Sequence, residues 1–207
     1  QTTNKHIVMK VNDQGTTREG LRVDGAVPEV VVNEGSESLV DFRVESDNNT
    51  HMLFVDGSTD KVGIDTSSPK TALDVHHDPT SLANDTGGGE VVTFGTGNLT
   101  AGKLYFLNSS GVWTETDADA ISTSDGLLGI ALGTATSDGL LLRGFFDAHT
   151  YLSNFVAGLP VYISTTAASM DTTLPSGTDD VVRCVGYCTS TANVIYFNPE
   201  STTLELS

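Results

Sequence analysis

Few stretches of this chain carry residue types that could do chemistry, and each is better satisfied by a turn. Asp85-Thr86-Gly87 is an Asp-Thr-Gly tripeptide. A carboxylate so placed can act as acid or base if a second carboxylate shares its proton. The tripeptide occurs once, and Ala83-Asn84 before it is no apolar strand, so a polar loop is predicted. Gly95-Thr96-Gly97 follows a strand-like run. A glycine turn that cradles a pyrophosphate must open a helix, whereas Asn98-Leu99-Thr100-Ala101-Gly102 leads into another strand. Asp56-Gly57-Ser58-Thr59-Asp60 and Asp117-Ala118-Asp119 crowd carboxylates into loops, without the ligand spacing of an EF-hand. His76 and His77 are adjacent, so on a strand they would face opposite ways and could not share one metal. A ring of one histidine per chain on a trimer axis is the remaining metal arrangement. No phosphate-binding Gly-Lys-Ser/Thr, Gly-x-Ser-x-Gly or His-Glu-x-x-His pattern occurs. No catalytic residue, no cofactor-binding residue, no metal ligand and no cofactor is therefore expected.

The two cysteines, Cys184 and Cys188, lie in one strand-like run. Four residues of strand cover roughly 13 Å, and a disulfide needs Cα atoms within roughly 7 Å. They are predicted to be unbridged small residues on one strand face.

Composition narrows the class. The apolar share of the 207 residues is 38%, below the usual value of about 45–50%. Thr, Ser, Gly and Asn fill the difference, which suits many short strands and turns. The net charge of −17 repels phosphate backbones and anionic bilayers, so neither nucleic acid nor membrane is an expected partner. No run reaches the roughly 18 apolar residues of a membrane-spanning helix. The chain opens on Gln1, and residues upstream of it are expected.

Two regions differ in character. Residues 1–80 hold fourteen acidic and seven basic residues, against eleven and three in residues 95–207. The run Gly87-Gly88-Gly89 lies between them, and three glycines hold a regular element only at a large entropic cost. The predicted organisation is a β-stranded assembly region over 1–80, a glycine hinge over 81–90 and a β-barrel head over 91–207. Strands are expected at 6–11, 20–25, 29–33, 40–45, 51–56 and 61–64. Turns are expected at Asp24-Gly25, Glu34-Gly35-Ser36, Asp47-Asn48-Asn49 and Asp56-Gly57-Ser58. Ser67, Ser68 and Pro69 could open one helical turn before Leu73-Asp74-Val75 returns to strand. Further strands are expected at 91–94, 103–107, 127–132, 139–146, 160–164, 181–187 and 193–197. Several of these are apolar on both faces, as in a small closed barrel or sandwich covered from outside, in part by a neighbouring subunit.

Leu21-Arg22-Val23-Asp24-Gly25 returns as Leu53-Phe54-Val55-Asp56-Gly57, and Phe42-Arg43-Val44-Glu45 is a partial copy. Such short units need stacking to bury a hydrophobic face. The segment from Asp60-Lys61-Val62-Gly63-Ile64-Asp65-Thr66 through Pro69 to Leu73-Asp74-Val75 resembles the N-x-V-G-I-G-T-x-x-P-x-x-x-L-D-V segment of phage tail fibres and related trimeric virion appendages, with Asp65 in place of a glycine. Residues 20–76 as a whole resemble the stalk repeats of those proteins. Residues 99–199 are similar to the small β-barrel decoration proteins that cement phage capsids, through Ala101-Gly102-Lys103-Leu104-Tyr105, residues 126–132, Gly158-Leu159-Pro160-Val161-Tyr162-Ile163 and residues 180–187.

Together these resemblances imply an all-β, non-enzymatic protein of the virion exterior. They imply a homotrimeric fibre or spike component with an intertwined stalk, working by assembly and presentation. Its partners would be copies of itself, other capsid or tail proteins, and a host-surface receptor. The alternative is a capsid decoration protein that stabilises the phage head. The alternating apolar residues expected to carry subunit contacts are Ile7, Val23, Val31, Phe42, Leu53, Val55, Val62 and Ile64; the competing arrangement is a core within one chain.

Overall fold

The computed structural model describes residues 5–13, 15–26, 29–33, 36–77 and 79–207. The chain is all-β and divides into two compact units, residues 1–77 and 78–207. Among the described residues, helix is confined to three single turns of 3-10 type, and none is long and apolar enough to cross a membrane.

The first unit holds two sheets. β1 (Ile7–Asp13), β2 (Thr16–Asp24) and β3 (Glu29–Val32) form an antiparallel sheet in that order. A bulge at Met9/Lys10 leaves the register Ile7–Val23–Val30 and Met9–Leu21–Val32 across the three strands. β4 (Phe42–Val44), β5 (Leu53–Asp56), β6 (Lys61–Ile64) and β7 (Leu73–Val75) form the second sheet in chain order. β4, β5 and β6 are antiparallel; β7 runs parallel to β6. The predicted Glu34-Gly35-Ser36 turn lies partly outside the described residues. Beside it, Asn33 takes a left-handed backbone (φ 65°) and donates its amide to the carbonyls of Glu37 and Val40.

Where a helical turn was expected after Ser67, the chain makes a non-helical crossover from β6 to β7. A parallel neighbour must be reached within a few residues, and side chains hold the path instead of helical bonds. Thr66 Oγ1 accepts the Ser68 amide at 3.1 Å, and Asp74 Oδ2 accepts the Lys70 amide at 2.8 Å. Asp65 adopts φ 61°, a region that Asp tolerates better than most residues, and Asn49 Nδ2 donates to its carboxylate. Gly63 is obligatory: a Cβ there would stand 2.7 Å from the Thr66 carbonyl oxygen.

The second unit is built from β8 (Gly87–Val92), β9 (Leu104–Leu107), β10 (Trp113–Glu115), β11 (Leu128–Ala131), β12 (Leu140–Asp147), β13 (Leu152–Ser153), β14 (Pro160–Ile163), β15 (Met170–Asp171), β16 (Val181–Val182), β17 (Cys184–Cys188), β18 (Val194–Phe197) and β19 (Leu204–Glu205). Its main sheet runs β10-β9-β11-β12-β18-β17-β14-β15-β13, with β8 also paired to β12; β16 and β19 pair separately. Where a small barrel or sandwich was expected, the sheet curls into a half-barrel. Its ends are laced by backbone bonds outside the strands: Leu104 N to Ala168 O (3.0 Å), Ala168 N to Thr116 O (2.7 Å) and Ala118 N to Ser164 O (3.0 Å). The concave face buries Leu104, Ile130, Leu141, Phe146, Val161, Ile163, Met170, Ile195 and Phe197. Tyr105, Ala131 and Leu140 point to the other face, where Leu99 and Trp113 cover them. The chain's own residues therefore supply cover for the second apolar face.

The glycine run is not a hinge. Gly87-Gly88-Gly89 opens β8 and pairs with Phe146, Phe145 and Gly144 of β12. The backbones come so close that only hydrogen fits at several positions. A Cβ on Gly87 would lie 2.3 Å from the Phe145 oxygen, on Gly89 2.2 Å from the Arg143 oxygen, and on Gly144 2.2 Å from the Gly88 oxygen. The entropic cost of these glycines is offset by ladder bonds and by packing of the strand they share.

Gly89→Ala places its methyl against backbone that cannot rotate away, at a φ of +153°. It should destabilise the second unit by about 3 kcal/mol or more, read from urea denaturation. Gly111→Ala, with φ +74° but open space around the new methyl, should cost only about 1 kcal/mol. Equal effects at the two positions would mean that the close approach is not what selects glycine in β8.

Candidate functional site

The residues with chemical potential are occupied in structural work. Asp85 accepts the Thr150 amide at 3.0 Å through Oδ1 and the Thr150 hydroxyl through Oδ2, which pins the segment before β8 to the turn after β12. Gly95 (φ 83°) and Gly97 (φ 147°) make room for Trp113; a Cβ on Gly95 would be 2.7 Å from its indole nitrogen. That indole donates to the Phe94 carbonyl at 2.8 Å. Asp56 accepts from the Ser58 and Thr59 hydroxyls at 2.6 and 2.7 Å, and these bonds hold its carboxyl down at about 2. Its oxygens close the β5–β6 turn. Asp119 is pushed above the ordinary carboxylate range, chiefly by Asp117 and also by burial and Asp180. Among the described residues no three His, Cys, Asp or Glu side chains come together as a metal site.

Both cysteines are free, but they do not share a face. A bulge opposite Val161/Tyr162 breaks the alternation of β17. Cys188 packs into the concave core, whereas Cys184 lies beside Tyr162, Tyr187 and Glu200 at a surface groove. Burial raises both thiols, which leaves them poor nucleophiles.

What stands out is apolar surface in the first unit. In the second sheet Phe42, Val55, Val62 and Leu73 lie side by side across four strands, and Val44, Leu53, Ile64 and Val75 form the next row. All eight therefore share one face. Leu73 is 61% and Val75 66% exposed, and Phe42, Val44 and Val55 are also exposed. The opposite face carries Arg43, Phe54, Gly63 and Asp74, with Phe54 buried and in edge contact with His51 (5.1 Å between ring centroids). The first sheet repeats the pattern: Ile7, Met9, Leu21, Val23, Val30 and Val32 lie on one face, with Ile7 at 69% and Val30 at 66% exposed.

Of the eight residues expected to carry subunit contacts, Phe42, Leu53, Val55, Val62 and Ile64 come together on the second sheet, and Ile7 and Val23 on the first. Val31 does not join them. It pairs with Arg22 beside Val8, on the opposite side from Val23. The same two faces also carry Met9, Leu21, Val30, Val32, Val44, Leu73 and Val75, outside the eight expected residues. The period-two rule applied from Val30 rather than from Val31 would have found two of them, because Val30-Val31-Val32 is apolar on both faces. Leu73 and Val75 were hidden because a parallel crossover, not a hairpin, brings them alongside.

The neighbourhood of Asp85 yields one pH-dependent expectation. Asp147 is 6% exposed, and burial pushes its carboxyl above the ordinary range, with nearby Asp85 adding to the rise and the His149 amide opposing it. A raised folded-state value favours the neutral acid. Its contribution to stability is present below the unfolded carboxylate pKa and is lost as pH rises through the raised value. Asp147→Asn should therefore be more stable than the natural chain at neutral pH, with the gap closing below about pH 4. Urea midpoints at the two pH values measure it; a gap independent of pH would exclude ionisation of Asp147 as its cause.

In comparisons of the whole chain with known proteins, no protein-family model, no curated protein and no solved structure matches it.

Proposed function

We propose that this chain is a non-enzymatic structural protein of a phage virion exterior, a homotrimeric fibre or spike component whose first 80 residues are completed by copies of the same chain. One observation carries the proposal: two sheets in the first unit each present an in-register apolar face to solvent. Monomeric proteins rarely leave contiguous apolar patches of this kind bare, and burying a Val, Leu or Ile contributes about 1.5–3 kcal/mol each. The tail-fibre resemblance gains physical sense in this setting. In Val62-Gly63-Ile64 and Leu73-Asp74-Val75 the apolar residues fall on the open face, while Gly63 and Asp74 face the other way and hold the crossover. Assembly and presentation, with contact to a host-surface receptor, would be the mechanism. The alternative, a capsid decoration protein, draws on the second unit, whose curled sheet and own core suit a module that clamps neighbouring shell subunits.

Light scattering with and without denaturant tests the proposal. The expected mass is three times the 21.8 kDa of one chain, falling to one chain on unfolding; a monomer in native buffer overturns the trimer. Val55→Glu combined with Val62→Glu puts two charges at the centre of the second sheet's apolar face, where burial of an unpaired charge is prohibitive. The double variant should lose the trimer while the second unit keeps its cooperative unfolding. A trimer that survives it would place the contact elsewhere.

A further inference from the structure

The second unit buries one guanidinium whose hydrogen bonds go to backbone carbonyls. Arg183, between β16 and β17, is 5% exposed. Its Nε donates to the Glu200 carbonyl and its Nη1 to the Ser124 carbonyl, both at 2.8 Å. Among the described residues it forms no ion pair. A guanidinium has five N–H donors in a planar fork, so both hydrogens of Nη2 and one of Nη1 are left over. Burial pulls its pKa down, with Asp125 opposing, yet arginine remains charged in proteins. None of these leftover donors is sealed away from solvent, so they are open to an incoming anion.

Arg183 lines a solvent-open groove of about 380 Å³ whose other walls include Leu127, Leu128, Leu142, Pro199 and Ser201. That volume falls in the range of roughly 300–1,000 Å³ typical of small-molecule sites. Leu128 belongs to β11 and Leu142 to β12, so two paired strands fix one wall. A single buried cation among leucine and proline walls selects an anion attached to an apolar body. Two coplanar oxygens match the guanidinium fork, whereas a phosphate would turn its remaining charged oxygens toward leucine.

We propose that this groove binds a small organic carboxylate, its two oxygens on the unused Arg183 N–H groups and a short apolar body against Leu127, Leu142 and Pro199. The site is independent of the assembly proposed above, since every residue in it belongs to the second unit.

Hexanoate is the probe, titrated into the full chain and followed by amide and arginine Nε–H NMR shifts. Salt of about 0.15 M screens the repulsion from the acidic chain beyond roughly 8 Å. Saturable shifts at Leu127, Leu142, Ser201 and Arg183 are expected. Acetate, without the body, and 1-hexanol, without the charge, should each bind at least about tenfold more weakly. Arg183→Gln should abolish binding. Because that change could unfold the unit, Ser201→Trp gives a second route: Ser201 is exposed, and the indole fills the groove while leaving the guanidinium in place. No saturable shift up to about 10 mM overturns the proposal. Hexanol binding equal to hexanoate reduces the site to an apolar hollow, and acetate binding equal to hexanoate reduces it to an adventitious ion only. Undiminished hexanoate binding by Ser201→Trp overturns the location.

Discussion

The second unit depends on one strand being approached closely from both sides. β12 gives one edge to β8 and divides the other between β11 and β18. That arrangement forces the β8 and β12 backbones together at Gly87, Gly89 and Gly144. With the centre fixed, Leu141 and Phe146 enter the concave core and Leu140 the outer cluster. The closing bonds around Thr116, Ala118 and Ala168 then complete the curl without further strands.

The first unit solves a different problem. Its strands are short, three to nine residues, and its turns are held by polar side chains: Asn33, Asp56, Thr66 and Asp74 each fix a backbone path. Arg18 with Glu37, and Arg22 with Glu19 and Asp24, add ion pairs on half-buried side chains. Such links specify geometry more than they stabilise it. The chain thus defines two sheets well while leaving one apolar face of each uncovered.

Much of this was legible in the residues. Alternation located β1 to β6 and the longer strands of the second unit, because a half-buried strand writes its period into the sequence. Asp56, Asp85 and Gly95-Thr96-Gly97 lie outside the strands or at their turns, as the polar residues around them suggested. What escaped was set by non-local geometry. Glycines in β8 look like a linker until Gly144, far along the chain, is seen opposite them. The bulge in β17 that separates Cys184 from Cys188 depends on pairing with β14. β10, β13, β15 and β19 are only two or three residues long, too short to show any period. Arg183 carries no sequence signal, because burial and unused donors emerge only once Glu200 and Ser124 are brought to it.

Among the described residues of 1–77, Phe54 is the only large apolar side chain that is more than nine-tenths buried. So small an interior offsets little of the conformational entropy of its own ordering. In the trimer proposed above, copies of the same chain would supply the missing cover, and what they supply follows mass action. In such a trimer, order in residues 1–77 would be a function of concentration, gained above a threshold and surrendered below it.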